Sequence, residues 1–195
     1  MPTRSRCYES GSRMILEIIQ FPDSRLREKS VLIAENEVDA ELHELAENMA
    51  ATMYEEPGIG LAAPQVGVSK RLIVMDLDWA EGERNLRVLI NPEVVESEGK
   101  QISEEEACLS VPDFSADVER AERVIVKART LDWEPVEFDC TGLEAICFQH
   151  EIDHLDGVLY IDRISRLKRD FYVRRRKKQI RREREETGPP GSIPL

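Results

Sequence analysis

The segment 142–156 constrains the fold of this 195-residue chain more than any other. Leu143, Ile146 and Cys147 fall on one side of a helix there, and Ala145, Phe148, Ile152 and Leu155 point toward others. A helix apolar nearly all round has to be covered on most sides, so it belongs at the centre of the fold. Two of the chain's three histidines, His150 and His154, lie inside it, one helical turn apart around Glu151. Residues i and i+4 share a face, so both imidazoles can reach one metal ion. Glu151, about a quarter turn round, reaches a water at that ion as a base. The third histidine, His43, sits on a charged stretch and is expected to be a solvated surface residue.

A catalytic metal of this kind takes three protein ligands and keeps one position open. No third ligand follows the pair. The position three residues beyond Gly157 is Tyr160, and no glutamate occurs between His154 and Glu183. The ligand therefore comes from upstream, as a carboxylate or as one of Cys7, Cys108, Cys140 and Cys147. Cys108 stands out, in a short segment ending Cys108-Leu109-Ser110-Val111-Pro112 that breaks an acidic run. Cys147, three residues before His150, lies on the same helix face and is expected to line the pocket. Four scattered cysteines make no disulfide framework.

Three segments in order and register resemble the peptide deformylases: Gly58-Ile59-Gly60-Leu61-Ala62-Ala63-Pro64-Gln65, then Glu106-Ala107-Cys108-Leu109-Ser110, then Gln149-His150-Glu151-Ile152-Asp153-His154. The likeness extends from about Met14 to about Ser165. One departure is Ala107, where the family commonly has glycine, a residue with backbone freedom that alanine lacks.

The resemblance implies hydrolysis of the N-formyl group from the N-terminal formyl-methionine of newly made proteins, with release of formate. It implies Cys108, His150 and His154 as ligands of one divalent metal per chain, and Glu151 as the base. The Gln65 side-chain amide and the Leu109 backbone N–H are the implied donors to the developing oxyanion. Ferrous iron is the metal the family commonly uses in the cell; a His2Cys set also suits zinc, nickel or cobalt. Ile59 and Gly60 are expected along an extended peptide substrate, with Leu143, Ile146 and Cys147 forming the methionine pocket. The resemblance also suggests that Glu106 pairs with Arg120.

Gly58-Ile59-Gly60 lacks the lysine and the third glycine of nucleotide-binding loops. No stretch approaches the ~20 apolar residues of a membrane span, and no secretory signal is present, so a cytoplasmic location is expected.

Charge is distributed unevenly. Residues 166–184 hold eleven basic and two acidic side chains, leaving 16 basic and 37 acidic elsewhere. Such a basic helix on an acidic body is an electrostatic foot for an anionic surface. The resemblance implies ribosome docking through it. On that expectation, removing 166–195 leaves hydrolysis of a short formyl-Met peptide intact.

The expected organisation is a disordered leader at 1–13, a catalytic metallohydrolase domain at 14–165, a basic helix at 166–186 and a disordered tail at 187–195. Periodicity predicts a helix over 37–54, with Val38, Leu42, Leu45, Met49 and Met53 on one face. Strands are predicted over 71–77, 87–90 and 123–128, with turns at Gly82 and Asn91-Pro92. The fold class is α+β, with antiparallel β-sheets packed around the central metal-binding helix. Other readings of the motif are a zinc-type metallopeptidase, an RNA-binding or ribosome-binding protein with a structural metal, and a related enzyme without deformylase activity.

Overall fold

The computed structural model describes residues 14–79 and 82–187, so the expectations for 1–13 and 188–195 lie outside it. Its elements are helix α1 (Ala40–Glu55), strands β1 (Gly60–Ala62), β2 (Leu72–Met75), β3 (Arg87–Glu98), β4 (Gln101–Cys108), β5 (Val111–Arg120), β6 (Arg123–Arg129) and β7 (Pro135–Thr141), and helices α2 (Gly142–Leu155) and α3 (Arg166–Thr187). Five strands form one sheet in the order β1-β2-β3-β6-β7, and β4 and β5 form a separate hairpin. All strand pairs are antiparallel. The architecture is the expected α+β arrangement around the histidine-bearing helix.

The period-2 geometry of a strand explains why β2 is apolar throughout. Leu72 and Val74 join the core under α1, with Leu42, Met49 and Met53. Ile73 and Met75 face the opposite way, into the core shared with Phe148, Ile152 and Leu155 of α2. The sheet is thus covered by a helix on each face. A third core lies under the hairpin, where Ile19, Phe21, Val111, Val118, Tyr160 and Tyr172 meet.

α1 begins at Ala40 and not at residue 37, because Asp39 caps it: its side chain accepts from Leu42 N at 3.0 Å. Asn91-Pro92, read as a turn, lies inside β3 instead. Asn91 adopts φ +53° and the register shifts there, so the pair forms a bulge. The Asn91 side chain accepts from Ile33 N and donates to Ile33 O, at 2.9 and 2.8 Å, which accounts for the polar residue in a strand. His43 is partly covered on α1, less exposed than its charged neighbours suggested.

α2 is fixed in rotation and in depth. Gln149 accepts from Ala121 N and donates to Ala121 O, at 2.9 and 3.1 Å, tying the helix to the turn between β5 and β6. At its end Gly157 turns the chain at φ +72° directly against the Arg27 backbone, where any side chain would collide.

Candidate active site

Cys108 ends β4, and α2 presents His150 and His154 toward it. One ligand atom from each of the three lies within 4.8 Å of the others, the only such group among the described residues. Cys108 Sγ is 3.2 Å from His154 Nε2. His150 uses Nδ1 against Glu106 Oε1 at 2.7 Å, which leaves Nε2 as its outward donor atom. Burial, reinforced by the charge of His150, holds His154 well below the usual histidine range, so it is the neutral imidazole that metals take. One thiolate and two imidazoles facing a common point fit a divalent transition metal.

Glu151 lies beside this group and is 4 % exposed. Its Oε2 has no hydrogen-bond partner, an expensive state for a buried carboxylate unless something not yet bound uses it. Burial pushes its pKa up to about 7, which suits a group that must both accept and return a proton near neutrality. Gly60 explains how the carboxylate fits, since a side chain at that position would overlap Glu151 Oε1. Gly60 was expected to serve a peptide's close approach, and the structure adds this second reason for glycine there. Gly60→Ala is expected to lower kcat at least tenfold through displacement of Glu151, with the melting temperature little changed; wild-type turnover would show that the carboxylate has room to spare.

Gln65 is 2 % exposed and locked in orientation. Its Oε1 accepts from Ala62 N at 2.8 Å, and its Nε2 donates to Ser110 Oγ at 3.2 Å, 3.6 Å from Cys108 Sγ. Leu109 occupies the turn between β4 and β5, immediately after Cys108. Ala107 stays within β4 and is not among the residues with positive φ, so alanine sits there without backbone strain.

These groups open onto one cleft of ≈ 840 Å³. Ile59, Gly60, Leu143, Ile146 and Cys147 all line it, together with Cys108, Leu109, Gln65, His150 and Glu151. The volume suits a short peptide. Of the residues singled out as site candidates in the sequence, all but His154 line this cleft; His154 lies buried behind it, grouped with Cys108 and His150.

The pairing of Glu106 with Arg120 is present and is part of something larger. Arg120, 3 % exposed, donates Nε to Glu106 Oε2 at 3.1 Å and Nη1 to Asp153 Oδ2 at 2.6 Å. Arg163 Nε donates to the same Asp153 oxygen at 2.6 Å. Burial alone would raise the Glu106 pKa, but His150 and Arg120 outweigh it and hold the carboxyl at about 2. The chain of groups runs from Arg163 through Asp153, Arg120 and Glu106 to the His150 ring. Asp153 and Arg163 were not anticipated; Asp153, three residues after His150, gave no sign of a partner 33 positions upstream. Tyr160, where another metalloenzyme class has its third histidine, instead packs its ring 6.2 Å from that of His150.

Residues 15–170 match the family model for polypeptide deformylase. The chain belongs to the polypeptide deformylase family. A peptide deformylase from Thermodesulfovibrio yellowstonii is 52% identical over 158 residues, 81% of this chain and 94% of that protein. The crystal structure of a peptide deformylase from Legionella pneumophila superposes with TM-score 0.79 at 42% identity, covering 90% of this chain and 99% of that one. A Met-Ala-Ser-bound peptide deformylase from Acinetobacter baumannii matches with TM-score 0.73 at 40% identity, covering 78% and 99%. Membership makes the chain a metal-dependent hydrolase with a single catalytic metal, and Cys108, His150 and His154 are the group among the described residues that could hold it. No helix among the described residues is long and apolar enough to cross a membrane.

Proposed function

We propose that this peptide deformylase removes formate from N-terminal formyl-methionine of nascent chains, with Cys108, His150 and His154 as the metal ligands, and with ferrous iron as the metal in the cell. The observation that carries the reading is the unpartnered Glu151 Oε2 beside a one-thiolate, two-imidazole group in a peptide-sized cleft. A divalent ion held there supplies Lewis acidity and lowers the pKa of water from 15.7 to roughly 7. Ferrous iron and a thiolate ligand both need a reducing compartment, in keeping with a cytoplasmic site of action.

The reaction adds water across one amide. A C–O bond forms at the formyl carbon, the C–N bond breaks, and formate and the methionine amine leave. Glu151 takes the proton from the attacking water and delivers it to the leaving nitrogen. Gln65 Nε2, already aimed toward Cys108, and the Leu109 N–H donate to the oxygen that gains charge, a contribution of about 2.7–4 kcal/mol per donor. The locked Gln65 amide needs no reorganisation when that charge appears. Ile59 and Gly60 lie along the peptide, and Leu143, Ile146 and Cys147 receive the methionine side chain. The peptide-bound relative from A. baumannii supports a cleft of this kind for a product beginning with methionine.

Product analysis separates this reading from a general peptidase. With formyl-Met-Ala-Ser, formate and Met-Ala-Ser are expected in equal amounts. Release of formyl-Met or of Ala-Ser would identify a peptidase.

For ribosome docking, the support is charge. Arg166, Lys168, Lys177, Lys178, Arg181 and Arg182 are exposed on α3, as are Leu167 and Phe171. The apolar residue that seats α3 is Tyr172, 1 % exposed, rather than those two. Removing 166–195 would also take Tyr172 from its core, so that cut changes more than charge. The clean test replaces Lys177, Lys178, Arg181 and Arg182 with Gln. Loss of four phosphate contacts is expected to flatten the log–log salt dependence of ribosome binding by roughly three to four units. An unchanged slope would exclude this face of α3.

A further inference from the structure

The first turns of α3 do more than anchor a basic helix. Tyr172 stacks on Phe114, ring centroids 4.7 Å apart and planes 20° apart, and its hydroxyl donates to Pro112 O at 3.3 Å. Arg175 donates to Asp113 O, and its guanidinium lies over the Phe114 and Tyr172 rings at 6.0 and 5.8 Å. Arg176, 8 % exposed, donates Nε to Phe21 O at 3.2 Å and Nη2 to Gln20 Oε1 at 2.8 Å.

Every receiving segment borders the cleft: Gln20 on one strip of wall, and Pro112, Asp113 and Phe114 on another. Asp113 is held at φ +58°, a region that non-glycine residues keep only where the surroundings over-determine it. The only side-chain donor to its carbonyl among the described residues is Arg175.

We propose that Arg175 and Arg176 are positioning residues, which hold the 112–115 wall and Gln20 in the shape that receives the third residue of the substrate. The inference rests on the deformylase reading. Its reach along the substrate follows from register. Cys108 pairs with Val111, and β5 runs on from there. At about 3.3 Å per residue, Phe114 lies roughly 10 Å along the strand from that pair, the length of about three residues of extended peptide. With the substrate laid alongside β5, as the proposal has it, the wall meets the distal part of a tripeptide and not the formyl group.

The test compares formyl-Met-Ala with formyl-Met-Ala-Ser on metal-loaded full-length protein. Arg175→Met keeps the aliphatic stem and removes the donor. It is expected to raise KM for the tripeptide about three- to tenfold at unchanged kcat, and to leave formyl-Met-Ala at wild-type values. Arg175→Lys, which retains a donor, should recover most of the loss. Arg174→Met removes the same charge from the neighbouring exposed position and should change nothing. Equal changes on both peptides, no change on either, or an equal loss in Arg174→Met would overturn the proposal, as would a lowered melting temperature with unaltered kinetics. Wild-type protein that released formate from neither peptide would overturn the deformylase reading itself.

Discussion

Replacing Glu151 with glutamine is expected to lower kcat by about 10²- to 10⁴-fold while leaving metal content at its wild-type level. The substitution keeps the shape that Gly60 accommodates and removes only the ability to take and return a proton. Glu151 is not one of the three grouped ligands, so the metal site loses nothing. Stability gives an independent check. A buried carboxylate oxygen without a partner is costly, and an amide carries no charge to desolvate, so the melting temperature should stay level or rise. Loss of turnover together with loss of metal would instead make Glu151 a ligand or a structural prop. Retained turnover would remove it from the chemistry.

The second large effect concerns Arg120, which touches no substrate. Arg120→Met leaves Glu106 and Asp153 buried with their shared cation gone. Breaking a buried ion pair from one side typically costs about 3–5 kcal/mol. For a domain of this size that corresponds to a fall of roughly 6–20 °C in melting temperature. The damage should reach the metal as well, because Glu106 orients the His150 ring through Nδ1. Loss of such an outer partner typically weakens metal affinity about 10- to 100-fold. Metal retention measured against a graded chelator, beside calorimetry, checks both parts. A variant that melts early and still holds its metal would confine the network to stability.

Much of the site was legible in the sequence because its residues lie in three short segments whose internal spacing is fixed by local geometry. His150 and His154 share a face wherever that segment is helical, and Glu151 follows. Which upstream residue completes the set cannot be derived from spacing, since Cys108 reaches α2 only through the β4–β5 hairpin. The resemblance supplied that pairing and the fold brings the atoms together. The Asp153 links were hidden because its partners, Arg120 at 33 residues' separation and Arg163 at ten, read locally as solvated charges.

The fold was partly legible too. Strands β2 and β6 announced themselves as apolar runs, and α1 by its helical period. β4 was obscured because three consecutive glutamates, 104–106, resemble a loop, although Glu106 points inward to Arg120. β5 and β7 carry a period-2 pattern that the strand reading missed: Phe114, Ala116 and Val118 in one, and Val136, Phe138 and Cys140 in the other, turn to the core. Hydropathy alone does not reveal how α3 is seated. Its buried residues are Tyr172 and an arginine, whose stem and donors fit a groove lined by carbonyl groups, while Leu167 and Phe171 stay exposed.

The central claim, that Cys108, His150 and His154 hold the one metal that supports deformylation, is tested most directly by X-ray absorption at the metal edge on anaerobically purified protein. Metal stoichiometry and formate release from formyl-Met-Ala-Ser are measured on the same sample. The expected result is one metal per chain, ligated by one sulfur and two nitrogens with a light-atom position left over, and turnover proportional to occupancy. A shell of four protein ligands, or formate release that does not follow metal content, would contradict it.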